Sequence, residues 1–141
     1  FDCRIEHDHR HGDGSDEVAA WVGWLKQRNP RHIALIGHAR GAAQVAAYAR
    51  GDKADDAVDR IVLVAPSSED AVTLAADYKR TFGADLEASI ALAQRHVAAG
   101  EDDVLVEVPG FLACPKARVT SGAFLDYYRP IGPRSALDLI G

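Results

Sequence analysis

The stretch from His32 to Arg50, "HIALIGHARGAAQVAAYAR", constrains the fold more than any other part of the chain. A β-branched-rich apolar run (Ile33, Ala34, Leu35, Ile36) ends at Gly37, and an alanine-rich helical segment, from about Ala39 to Arg50, carries a second glycine at Gly41. The chain must therefore turn from strand to helix within "GHARG". So sharp a turn strains the residue at its apex, Ala39. Side chains two positions either side would collide unless very small, which accounts for Gly37 and Gly41. After a charged turn, "RIVLVAP" reads as a second strand of the same apolar type, stopped by Pro66. Two such strands joined by one helix make a right-handed βαβ unit, with a parallel sheet covered on both faces.

Helices and short strands surround this unit. "SDEVAAWVGWLKQRNP" reads as a helix capped by Ser15, with Asp16 and Glu17 in its first turn and Lys26 and Arg28 in its last, closed by Pro30. Val18, Trp21, Val22 and Leu25 fall at helical spacing and make its buried face. The preceding "FDCRIEHDHRHGDG" is a short strand or an irregular arm. Beyond Pro66, "SEDAVTLAADYKRTFG" and "ADLEASIALAQRHVAAG" read as two amphipathic helices, divided at Gly83 and ended at Gly100. "DVLVEVPG" reads as a short strand, and "VTSGAFLDYY" as a helix capped at Thr120 or Ser121.

With 141 residues the chain is one domain's worth of sequence, with 48% apolar and 26% charged residues, as in ordinary globular domains. A formal charge of −5 argues against nucleic acid or an anionic membrane as the main partner. No apolar run approaches the roughly 20 residues of a bilayer span. Cys3 and Cys114 are too few and too separated to read as a disulfide framework, so the expected compartment is cytoplasmic and Cys114 is expected to pack as a small hydrophobe.

The frame of "GHARG" is that of a nucleophile elbow, G-x-S-x-G, with alanine where the serine would stand. Here the chain resembles the α/β-hydrolase family, whose frequent elbow is G-H-S-x-G. "LIG", elbow, alanine-rich helix and "RIVLVAP" follow one another in the family's order. The resemblance implies a partial, doubly wound, mainly parallel sheet with a helical lid-like insertion at 68–100, within a single and incomplete domain over 1–141. It implies a parent serine hydrolase acting on a small-molecule ester, thioester or amide. Ala39 then occupies the nucleophile position and the backbone N–H of Arg40 helps hold an oxyanion. Family chain order is nucleophile, acid, histidine, and neither partner is reached by Gly141. No cofactor is implied. The sheet is expected to be completed by another chain, a swapped copy or further parts of the same protein.

Other residues offer weaker chemistry. His96, the sole histidine after the elbow, reads as a half-exposed helix residue and Asp70 as a helix N-terminal charge. His7, His9 and His11 alternate in "HDHRH" and would share one face of a strand, but without an accompanying ligand spacing the stretch reads as a solvated connection and no metal is expected. Trp21, Trp24, Tyr127 and Tyr128 read as core. "GHARGA" is neither a dinucleotide fingerprint nor a phosphate loop. Two further readings stand beside the disabled hydrolase: a non-catalytic binding or assembly domain of the same fold, and a different doubly wound domain with a coincidental turn.

Overall fold

The structure, a computed structural model, describes residues 3–67 and 70–128. The described residues divide into two compact units, one of residues 3–11 and 70–128, the other of residues 12–67.

The unit that carries the strand–helix–strand segment contains helix α1 (Gly14–Lys26), strand β2 (Ile33–His38), helix α2 (Arg40–Arg50) and strand β3 (Val58–Val64). β2 and β3 pair in parallel, with Leu35 opposite Ile61, Gly37 opposite Leu63 and His38 opposite Val64. Crossover through α2 is what two parallel neighbours require. Ile33 and Leu35 point to the side where Val22 of α1 and Tyr48 of α2 form a small core, and Leu63 packs on Ala42 and Ala46. The alanines let α2 sit close to the sheet. The opposite face is not covered: Ile36 is 69% exposed, and Val62 and Val64 are also open. The expected cover on both faces is thus present on one face only among the described residues. Helix α1 also differs in phase. Val22 is buried and Val18 and Leu25 pack on the core, but Trp21 faces outward at 64% exposure. Trp24 is exposed as well and stacks beneath the Arg28 guanidinium, 3.4 Å from its ring centre. Asp13 rather than Ser15 occupies the cap position, and the Ser15 hydroxyl donates to the Gly12 carbonyl.

The other unit has strand β1 (Glu6–His7), helices α3 (Ala71–Phe82) and α4 (Leu86–Ala98), strands β4 (Leu105–Phe111) and β5 (Cys114–Thr120), and helix α5 (Ser121–Tyr128). β4 and β5 form an antiparallel hairpin, and β1 adds in parallel to β5. Val106, Val108, Ala117 and Val119 turn one face of the hairpin onto Leu74, Tyr78, Ile90, Phe124 and Tyr128. The Asp70 carboxylate accepts from Thr73 N–H and caps α3, Asp85 does the same for α4 at Glu87, and left-handed Gly83 ends α3. At Gly110 a Cβ would sit 2.2 Å from the Phe82 ring, so only glycine lets Phe82 and Tyr78 close over the hairpin. The Tyr78 hydroxyl donates to the Gly110 carbonyl at 2.8 Å and accepts from its N–H at 3.1 Å.

Further expectations are corrected here. Cys114 is fully buried and bonded to Cys3 in a disulfide, although 111 positions separate them; strand pairing of β1 with β5 brings the two together. The "HDHRH" stretch is a solvated connection only in part: Asp8, His9 and Arg10 are exposed, but His7 and His11 are buried at 1% and 5% exposure. The mixed three-stranded sheet also replaces part of the mainly parallel sheet expected, and β5 was not foreseen. No helix among the described residues is long and apolar enough to cross a membrane.

Candidate functional site

β2 ends at His38 and α2 begins at Arg40, which leaves Ala39 alone to make the turn. Its backbone angles are φ 51° and ψ −121°, a combination that an L-residue adopts only under strain. The surrounding hydrogen bonds hold it there. Ala39 N–H donates to the Val64 carbonyl at 3.1 Å, while the Ala39 carbonyl accepts from Ala42 N–H at 3.1 Å and Ser67 N–H at 3.4 Å. The turn is therefore pinned to the carboxyl end of β3, where Ala65 also has a positive φ of 43°. Open parallel sheets bind ligands at this end of their strands.

Gly37 and Gly41 have different reasons. A Cβ on Gly37 would lie 2.6 Å from both the Ala42 Cα and the Gly41 carbonyl oxygen, and 2.8 Å from Ala42 N, all of them backbone atoms. At Gly41 nothing lies within 4 Å of a Cβ. The steric account of the turn holds for Gly37 and fails for Gly41, because the close approach is made by the backbone of 41 and 42, not by a side chain at 41.

Arg40 opens α2, and N–H groups of a first helical turn project from the positive end of the helix. Ala39 contributes only a methyl group there, and His38 is exposed at the strand end. The other candidates are engaged elsewhere. Asp70 caps α3 through Thr73. His96 belongs to the other unit and places Nδ1 2.8 Å from the Glu101 carboxylate, at the C-terminal end of α4. Among the described residues, no group of three His, Cys, Asp or Glu side chains is arranged to hold a metal ion. His7 and His9 instead make tilted and edge-on ring contacts with Phe111, as His11 and His9 do with Tyr127. Burial lowers the pKa of His7, nearby His9 lowers it further and Asp8 opposes.

Sequence reasoning missed the strained Ala65 and the contact from Ser67 to the apex. Only "AP" marks that place, and a residue before proline ordinarily prefers extended backbone, so no signal was available.

A family model described as serine hydrolase matches residues 4–110 of this chain. The chain belongs to the serine hydrolase family. The match takes in the strand–turn–helix–strand segment and α3 and α4, and it ends in β4. No curated protein and no solved structure matches the chain.

Proposed function

We propose that this chain is an α/β-hydrolase-type domain of a serine hydrolase whose nucleophile position is occupied by Ala39, and that it is inactive in acyl transfer for that reason. The observation that carries the reading is the backbone at Ala39: φ 51° and ψ −121° on a one-residue turn between a parallel strand and a helix. Strain of that kind serves a side chain that must stand clear of the sheet, and a methyl group has no use for it. A serine there would place its hydroxyl beside the Arg40 N–H, where a tetrahedral oxyanion develops during attack on an ester, thioester or amide. Alanine has no oxygen to form the acyl-enzyme. The parent substrate in this reading is a small acyl compound, and the enzyme needs no cofactor.

The open face of Ile36, Val62 and Val64 supports a second element of the proposal. Among the described residues β2 and β3 pair only with each other. Further strands and helices complete this sheet, supplied by another chain, a swapped copy or other parts of the same protein.

A non-catalytic binding or assembly role for the same fold is favoured by the other engagements of Asp70 and His96. Ala39→Ser in the full-length protein separates the two. Hydrolysis of aryl esters and labelling by a fluorophosphonate probe support a disabled enzyme. A folded Ala39→Ser protein that does neither supports the binding role.

A further inference from the structure

The segment from Cys3 to His11 lies on the hairpin unit as a strap, and the forces that hold it are unequal. Its strand pairing is two residues long, Glu6 with Arg118 and His7 with Val119. Its ion pairs are exposed: Glu6 with Arg118, and Arg10 with Asp102 at 3.4 Å. Such pairs contribute little in water. The His7 ring is buried against Phe111 at 5.3 Å, and His11 against Tyr127 at 5.3 Å. His9 also meets the edges of Phe111 and Tyr127, and one tie is covalent, the Cys3–Cys114 disulfide. Beneath the strap, α3, α4, α5 and the β4–β5 hairpin share an apolar core, and the strap packs on its members Phe111, Tyr127 and Cys114.

We propose that the strap is a redox latch: the Cys3–Cys114 disulfide holds residues 3–11 on β5 and Phe111, and a dithiol reductant releases them while the hairpin and its three helices stay folded. Access decides where the reductant attacks, since Cys3 is exposed and Cys114 is completely buried. One thiolate of the dithiol forms a bond to the Cys3 sulfur, and the Cys3–Cys114 bond breaks, with its electron pair leaving on the Cys114 sulfur. That thiolate takes a proton from water. The second thiol of the reductant, as thiolate, attacks its own partner's sulfur in the mixed disulfide and expels the Cys3 thiolate, which is protonated in turn. Two electrons and two protons pass to the protein, and the dithiol becomes a cyclic disulfide. The freed strap uncovers Phe111, Tyr127 and Cys114.

Hydrogen exchange on the intact protein, with and without dithiothreitol, tests the latch. Amides of residues 5–11 should exchange at least about tenfold faster after reduction, while those of α4 keep their protection. Oxidised dithiothreitol or oxidised glutathione should restore the slow rates, and Cys3→Ser should show the fast pattern without reductant. Unchanged strap exchange after complete reduction, verified by alkylation of both cysteines, would overturn the proposal. So would loss of protection throughout α3, α4 and the hairpin together, which would make the disulfide a general staple. The wild-type arm decides the matter even where Cys3→Ser does not fold.

Discussion

Replacing Gly37 with alanine tests the strand-to-helix turn through its tightest contact. The added Cβ would meet the Ala42 Cα and the Gly41 oxygen at 2.6 Å, about 0.8 Å inside the 3.4 Å at which ordinary contact begins. Neither obstacle is a side chain that can rotate away. The start of α2 would have to lift from β2, against the Ala39–Val64 and Ala42–Ala39 hydrogen bonds and the packing of Ala42 and Ala46 on Leu63. Overpacking commonly costs about 1–3 kcal/mol, and a clash with backbone on two sides belongs at the upper end, about 3 kcal/mol. Gly41→Ala is the internal control. It meets nothing within 4 Å and lies in the first turn of α2, where alanine is the better helix former by up to about 1 kcal/mol. Urea denaturation followed by circular dichroism should therefore show Gly37→Ala strongly destabilised and Gly41→Ala neutral or slightly stabilised. Equal losses in the two variants, or a harmless Gly37→Ala, would refute the steric reasoning.

Ala39→Gly should stabilise the protein by about 1 kcal/mol in the same assay, because glycine relieves a strain of about 1–3 kcal/mol and returns part of it as unfolded-chain entropy. Tyr78→Phe should cost about 1–3 kcal/mol, since both polar groups of buried Gly110 lose their partner. Asp70→Ala should remove the cap of α3 at a cost of about 1 kcal/mol, read from the denaturation midpoint. His7 gives a pH dependence. Its folded pKa is lowered, by burial first and by His9 second, so the unfolded chain binds a proton at higher pH than the folded one. Its contribution to stability is complete above about pH 6.5 and is lost as pH falls below that value. Melting temperatures from pH 7.5 to 5 should decline, and His7→Gln should flatten the decline; an equal slope in the variant would contradict the assignment.

The βαβ segment was legible because its signals are local: two apolar runs, an alanine-rich crossover and a glycine at each side of the turn. Gly83 and Gly100 marked helix ends for the same reason, and both have positive φ. Trp21 was misread because it lies on the edge of the Val18–Val22–Leu25 stripe, and α1 has too few partners to cover a wide face. β5 gave no signal, since Pro115 interrupts it and the residues that turn inward, Cys114, Ala117 and Val119, are mostly small. Nor does spacing reveal a bond between Cys3 and Cys114, which depends on where a two-residue strand docks. The strand-to-helix turn at Ala39, by contrast, was plain in the sequence, because it is specified by the residues around Ala39 and not by Ala39 itself.

Intact-mass spectrometry after exposure of the folded protein to a fluorophosphonate probe, with aryl-ester turnover measured in parallel, tests the central claim most directly. Loss of a triad nucleophile removes about a million-fold of rate in a well-studied protease. With Ala39 at the apex, the account predicts no adduct on any serine and no turnover above the uncatalysed rate. A stoichiometric adduct, wherever it maps, or ester hydrolysis that the probe abolishes would contradict it.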